Sequence, residues 1–521
     1  MGAPHDKGRW TSVTDSPNLP WPESPIHAHL LPFGPHAGQV LFWGRGHIPR
    51  DQSRASEPHF WDPNSKTVTA AAQPTFNAFC SGHAFLAFGK LLVAGGHKTS
   101  YNGLPNASKY DPEQNMWSSD LDDMNEARWY PTTIALPHGD ALVISGTNVG
   151  QGDPDNTPQV LRYNQTTWSG LSADMNLPSI YYPFMFVAPF ASGSSDERVF
   201  LAGPKKDTRF LYTNGSGTWE GQAQRYLHDF PRNWGSAVMY DKGKIIIMGG
   251  TDCGFYDGNC TNPPFASAER IDLTAASPAW TSVPSMPKGP RKLHNATLLA
   301  NGKVFVSGGR RDSASPKAPA PSPTDTPGPA ALKCEMWDPS SGQNGSWFER
   351  APLPKYRGYH SIALLLPDAT VLSAGGDHQG GDYSQSDPDD YTAEVFEPPY
   401  LFDSNDQLAD RPEIINWPSP PPAYNYGATI NVEFTVPANR SIVKVNLLGV
   451  GSVTHGFNMG QRCVPITTFV KDPNANILHV TISVDESEAP SGYYMLFVID
   501  NNPNGGVPSK AQFVRLNRTL P

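Results

Sequence analysis

The sequence predicts an all-β protein: a seven-bladed β-propeller followed by a C-terminal immunoglobulin-like β-sandwich. Three observations carry this. Apolar runs of strand length, each ending in a small-residue turn, recur seven times at a spacing of roughly 50 residues, the length of one four-stranded blade. The 53 prolines and 47 glycines, against 17% charged residues, describe a turn-rich chain, and no segment sustains a helical period. Beyond residue 411 the pattern changes to period-two strands that fill a sandwich of about a hundred residues.

The seven runs are Val40–Gly44, Leu91–Gly96, Ala141–Gly146, Val199–Gly203, Ile245–Gly250, Val304–Gly309 and Val371–Gly376. Glycines at their ends let neighbouring backbones approach and turn. A second element follows most of them, an aromatic or Ile near a turn and then a Trp: Tyr110 and Trp117, Tyr163 and Trp168, Tyr212 and Trp219, Ile271 and Trp280, Trp337 and Trp347. The period is that of kelch repeats, with the later Trp packed between blades. Residues 1–410 are therefore assigned to the propeller and 411–521 to the sandwich. A Pro/Ala/Ser-rich stretch, Arg311–Pro329, reads as a surface insertion in the sixth repeat. Arg411-Pro412 and the proline run from Trp417 to Ala423 read as a rigid linker. The strands after it are Thr429–Val436, Val443–Leu448, Leu478–Ser483 and Tyr493–Ile499.

Composition excludes several classes. A formal charge of −10 and a pI near 5.8, with no basic stripe, argue against a nucleic-acid partner. No apolar run approaches the roughly 20 residues of a membrane span. The N-terminus lacks the apolar region of a signal peptide. Eight Asn-X-Ser/Thr triplets, at Asn106, Asn164, Asn214, Asn259, Asn295, Asn344, Asn439 and Asn517, fit a secreted protein in mature form, and a monomer is expected. Of five cysteines, Cys253 and Cys260 flank a short loop and suit a local disulfide. Cys334 and Cys463 are left either free or paired, and no zinc spacing occurs.

Tyr359-His360 opens the apolar strand after Arg357-Gly358. Neighbours in a regular strand point to opposite faces, so the two can serve one centre only where the backbone turns; otherwise they are an aromatic and a core histidine. Cys80, in Phe79-Cys80-Ser81-Gly82, reads alone as a buried packing thiol.

Four motifs occur together in propeller order: Phe79-Cys80-Ser81-Gly82, Ala127-Arg128-Trp129-Tyr130-Pro131, Gly358-Tyr359-His360-Ser361 and Gly451-Ser452-Val453-Thr454-His455. Gln461-Arg462 and Gly492–Ile499 follow them. From about residue 30 to the end, the chain resembles the copper radical oxidases, the galactose oxidase/glyoxal oxidase group. The resemblance implies one copper ion bound by Tyr130, Tyr359, His360 and His455, with His455 delivered by a sandwich loop into the propeller axis. It also implies a thioether joining Cys80 to Tyr130 ortho to the phenol oxygen. The cross-linked Tyr130 would hold the radical, and Tyr359 would take the substrate proton. Small aldehydes, as hydrates, or primary alcohols would be oxidised, with O2 reduced to hydrogen peroxide.

The chain departs from the galactose oxidases. Their stacking tryptophan has no counterpart in Ser145–Gly150, and their sugar-gripping arginine has none in Tyr181–Phe190. Trp234 is the proposed replacement for the stacking ring, whereas strand alternation would turn Trp129 away from Tyr130. His294, at a strand start matched to that of His360, is a further candidate to line the axis, and Asp377-His378 reads as a solvated loop, with lining the open face as the alternative. Small aldehydes are therefore expected as substrates, with primary alcohols as the alternative. A kelch scaffold that kept the fold without the chemistry is the contrasting reading, and it would be expected to lack at least one of the five residues.

Overall fold

The computed structural model describes residues 2–13, 21–45, 55–150, 157–171, 181–225, 230–254, 260, 262–314, 330–376, 390–482 and 484–517. Asp377-His378 and most of the sixth-repeat insertion lie outside these. Among the described residues, seven antiparallel sheets are arranged as propeller blades. The seven glycine-terminated runs of the sequence form the second strand of each blade, paired on one side with the strand lining the axis and on the other with the third strand. Inner strands of neighbouring blades touch around the axis.

Two features close the ring. The strand Arg9–Ser12 pairs with Ala393–Glu397 as the outer strand of blade seven, so the N-terminus completes the last blade. In blade one, the sheet of His27–Leu30, Val40–Trp43, His59–Trp61 and Val68–Ala70 gains two inner strands, Ser452–Thr454 and Phe457–Asn458, from the C-terminal region. That hairpin touches the inner strands of blades two and seven.

Five tryptophans key blades two, three, five, six and seven to the blade before through their indole N–H groups. Trp117 donates to the Ala72 carbonyl (2.8 Å), Trp168 to Asp122 (3.2 Å) and Trp347 to Pro284 (2.7 Å). Trp280 donates to Thr208 Oγ1 (3.0 Å), and Trp10, in the closing strand, to Ala351 (2.9 Å). A half-buried indole needs such a partner, which fixes its position between blades.

A second device recurs at the loops entering the inner strands. Arg128, Arg232, Arg291 and Arg357 are fully buried, and each donates to a backbone carbonyl 17 or 18 residues on: Ser145 (2.9 Å), Gly249 (2.9 Å), Gly308 (3.3 Å) and Gly375 (2.7 Å). The last three also meet a buried carboxylate on the third strand: Glu269 (2.7 Å), Glu335 (3.4 Å) and Glu394 (2.5 Å).

The C-terminal unit is a two-sheet sandwich. Thr429–Thr435 shows the predicted alternation of buried and exposed residues, and Gly492–Asp500 is buried throughout against Ile442–Gly449. The stretch read as a linker is partly strand. Glu413–Ile414 and Ala423–Asn425 each pair at a sheet edge, flanking prolines that cannot donate to a ladder. Gln461 docks this unit onto blade six, donating to the Ala296 carbonyl (3.1 Å) and accepting from Leu298 N–H. Cys253 and Cys260 form a disulfide, while Cys334 and Cys463 are buried free thiols. Asn295 is buried, with its amide on Ser361 Oγ (3.0 Å), which makes that triplet unusable for a glycan in the folded chain. No helix among the described residues is long and apolar enough to cross a membrane.

Removing one partner of a buried pair strands the other charge. Arg232→Met should lower stability by about 3–5 kcal/mol, read as a shift of the denaturant midpoint, and Arg232→Met/Glu269→Leu should recover most of the loss.

Candidate metal centre

Among the described residues, the loop before each inner strand of blades two to seven holds one non-glycine residue with positive φ. In blades two to seven these are Cys80 (65°), Tyr130 (68°), Tyr182 (48°), Trp234 (60°), Leu293 (60°) and His360 (66°). His455 (50°), at the tip of the inserted hairpin, stands beside blade one. A side chain in this region costs about 1–2 kcal/mol, so the surroundings must hold it. Backbone bonds between neighbouring members do part of this: Tyr130 N–H to Cys80 (2.9 Å), Tyr182 N–H to Tyr130 (2.9 Å) and Leu293 N–H to Trp234 (2.7 Å). The buried arginines fix several of the same loops from behind. The turn also breaks strand alternation, so the adjacent Tyr359 and His360 both reach the axis, their rings stacked at 3.8 Å.

The Tyr130 oxygen is the hub. It lies 2.7 Å from Tyr359 Oη, 2.8 Å from His455 Nε2 and 3.5 Å from His360 Nε2. Tyr130, Tyr359 and His360 are buried, and His455 keeps a partly exposed edge. Thr454 Oγ1 donates to the Ile26 carbonyl (2.9 Å) and therefore accepts from His455 Nδ1 (2.6 Å). That leaves a lone pair on Nε2, facing the hub. Burial, then His360 and Arg45, hold the His455 pKa well below its ordinary value, so the ring is neutral. At His360 the contact is of the other kind: Arg45, buried, donates to Nδ1 (2.9 Å), which places the proton of a neutral His360 ring on Nε2, so that nitrogen must give up its proton to act as a metal donor. Two phenol oxygens and two imidazole nitrogens converging within hydrogen-bond distances form a donor set that fits Cu(II).

The Cys80 thiol shares one buried cluster with Tyr130 and Trp129 and lies 3.9 Å from His97 Nδ1. Burial raises its pKa well above the ordinary value, against opposing hydrogen bonds from those two residues and the charge of Arg45. The sulfur therefore rests there as a neutral thiol beside a phenol ring.

The other sequence candidates are arranged differently from the sequence reading. Trp129 faces Tyr130 and stacks on it, with centroids 3.9 Å apart and planes 8° from parallel. The alternation argument fails because Tyr130 sits in a left-handed turn and the strand begins only at Thr132. Trp234 meets Tyr359 edge-on at 5.8 Å and is not the ring stacked on Tyr130. His294 lies one residue past the position matched to His360, which Leu293 holds. It is fully buried, and burial lowers its pKa to about 3, making it a neutral core histidine.

Three contributors, His97, Thr454 and Arg45, escaped the sequence reading, and Tyr182 is legible there only as part of an aromatic segment near the axis. Tyr182 stacks on Tyr130 at 4.8 Å and donates to the Ser81 carbonyl (3.0 Å). His97 accepts from the Trp129 indole (3.0 Å). Thr454 sets the His455 tautomer. Arg45 follows the first glycine-terminated run, at a position where five of the six later copies carry glycine, and that substitution was the available signal.

Comparison with known proteins agrees over nearly the whole chain. The family model described as "Glyoxal oxidase N-terminus" matches residues 59–400, and "Galactose oxidase-like, Early set domain" matches 411–516. A galactose oxidase of Gibberella zeae is 28% identical over 540 residues, covering 98% of this chain and 71% of its own length. The aldehyde oxidase GLOX of Vitis pseudoreticulata is 28% identical, covering 84% and 82%. A solved fungal alcohol oxidase in complex with copper superposes with a TM-score of 0.79 over 98% of this chain and all of its own, at 24% identity, a likeness of fold.

Removing the His455 orienting group tests the metal-site geometry. Thr454→Val should weaken Cu(II) binding by about 10- to 100-fold in a competition titration, with the thermal unfolding curve little changed.

Proposed function

This chain belongs to the glyoxal oxidase N-terminus family, and on that premise we propose that it oxidises small aldehydes, as their hydrates, at a copper-radical centre built on Tyr130, Tyr359, His360 and His455. It is an oxidoreductase of the copper radical oxidase type, with a copper ion and a protein-derived radical. The observation that carries the residue assignment is the convergence of three donor atoms on the Tyr130 oxygen, with the Cys80 thiol against the same ring. Its propeller part supplies three of the four donors and the sandwich unit supplies His455, so neither alone makes the centre.

Maturation joins Cys80 Sγ to the Tyr130 ring carbon ortho to oxygen. A C–S bond forms, S–H and C–H bonds break, and O2 takes the two electrons and two protons as hydrogen peroxide. The sulfur donates electron density to the ring, which makes Tyr130 the phenol most readily oxidised. Trp129, stacked at 3.9 Å, shields that ring from water.

In turnover, bound copper supplies a Lewis-acid position for the substrate oxygen and one of the two electron-accepting centres. Tyr359 takes the proton from that oxygen, 2.7 Å from the Tyr130 oxygen in the resting arrangement. Oxidised Tyr130 takes the hydrogen atom from the substrate carbon. O2 then accepts two electrons and two protons and leaves as hydrogen peroxide.

The substrate class rests on the walls. Around the hub these are rings, Trp129, Tyr181, Tyr182 and Trp234, with Arg45 the charged group at His360. A sugar would leave hydroxyls without partners against such walls, a loss in kcat/KM. A gem-diol presents the same oxygen and hydrogen as an alcohol, so primary alcohols are the second reading, favoured by the galactose oxidase relative.

Two measurements test this. Aerobic copper loading of the metal-free protein should lower its mass by two hydrogens and speed its migration on a denaturing gel, and Cys80→Ser should show neither change and no turnover. Unchanged mass in the wild type would overturn the cofactor assignment. In a peroxidase-coupled assay, glyoxal, methylglyoxal or glycolaldehyde should exceed galactose in kcat/KM, and the reverse order would overturn the substrate class.

A further inference from the structure

Beside the centre runs a chain of buried polar side chains that the mechanism above does not use. His27 and His29 lie on the inner strand of blade one, His83 on that of blade two and Ser452 on the inserted hairpin, and all four are fully buried. The Cys80 backbone N–H bonds to His27 Nε2 (3.1 Å), and His27 Nδ1 meets His83 Nε2 (3.1 Å). His83 Nδ1 meets Ser452 Oγ (2.6 Å), which also meets His29 Nδ1 (2.9 Å).

The direction of this chain follows from its first member. A backbone N–H can only donate, so His27 Nε2 accepts and the His27 proton sits on Nδ1. It is donated to His83 Nε2, which places the His83 proton on Nδ1, toward Ser452. The serine oxygen, which accepts that hydrogen bond, also meets His29 Nδ1. Burial keeps the rings neutral, lowering His27 and His29 well below their ordinary values and His83 to about 3. Stacking on Trp43, at 5.3 Å for His27 and 4.4 Å for His29, limits ring rotation.

The two ends explain its use. At one end is Cys80, held at φ 65° between two backbone bonds, its N–H on His27 and its carbonyl accepting from Tyr130 (2.9 Å). At the other end is Ser452, three residues before His455 on the same hairpin. We propose that His27, His83 and Ser452 are positioning residues for cofactor maturation: a one-directional hydrogen-bond strap that registers the Cys80 turn against the hairpin carrying His455. The sulfur then meets the Tyr130 ring carbon when O2 takes the two electrons of the C–S bond-forming step.

This rests on the function proposed above, and the test separates the two. Metal-free protein is loaded with Cu(II) in air, and the loss of two hydrogens is followed by mass spectrometry. His83→Leu and Ser452→Ala should form the cross-link about 10- to 100-fold more slowly than wild type. His83→Gln keeps an acceptor toward His27 and a donor toward Ser452, and should mature within a few-fold of wild type. A packing role alone would not distinguish Gln from Leu. Equal rates in Ser452→Ala and wild type, or His83→Gln as slow as His83→Leu, would overturn the strap. Should His83→Leu fail to fold, Ser452→Ala, a smaller lesion, decides alone. A wild-type chain that never loses the hydrogens refutes the cross-link itself, a different outcome.

Discussion

The centre depends on side-chain-bearing residues being held at positive φ around the propeller axis. A regular strand would send Tyr359 and His360 to opposite faces and turn Tyr130 away from its neighbours. The left-handed turn brings these residues to the axis together, at a cost of about 1–2 kcal/mol for each Cβ. The fold meets that cost in repeated ways. The carbonyls of Cys80, Tyr130 and Trp234 each accept the next member's N–H, and buried arginines grip the glycine turns of the same blades. The strain is thus spread over the ring.

Charge is distributed to suit this. Around the hub lies an apolar layer of Phe79, Trp129, Tyr130, Tyr182, Tyr359 and Phe457, and the nearby histidines are held neutral by burial. The guanidinium–carboxylate pairs of Arg232, Arg291 and Arg357 sit behind the loops. Arg45 is the cation that reaches a donor residue directly, at His360 Nδ1. A cavity of about 710 Å³ lies elsewhere, between blades five and six and the sandwich. Of its charged groups, Asp241 pairs with Lys244 and Asp338 with Lys303, while Lys444 donates to the Asn301 carbonyl and Asp272 accepts from Thr274.

What could be read from the sequence was local. Each second strand is a continuous apolar run stopped by glycine, recurring at roughly 50 residues, and a tryptophan follows most of them, so blade number and order were visible. The closing strand was not: Arg9–Ser12 has four residues, no period, and a partner 388 positions away. At the site, Tyr130, Tyr359, His360 and His455 were named from motifs, but the side chains around them were assigned by assuming extended strand. That assumption fails at φ near 65°, which is why Trp129 lies over Tyr130 and why Leu293, not His294, matches His360. The proline-rich stretch near Trp417 hid two short edge strands, because proline reads as linker even where its neighbours pair. Tyr182 carried no motif and was legible only as part of an aromatic segment near the axis; its matched place in blade four stacks it on Tyr130.

The most direct measurement of the central claim is electron paramagnetic resonance of the copper-loaded protein during one-electron oxidation. A Cu(II) signal should appear on loading, vanish when Tyr130 is oxidised and its spin couples to the metal, and return on one-electron reduction, while Tyr130→Phe keeps the signal throughout. A Cu(II) signal in the wild type that persists unchanged through oxidation would contradict a radical on Tyr130 bound to the same copper.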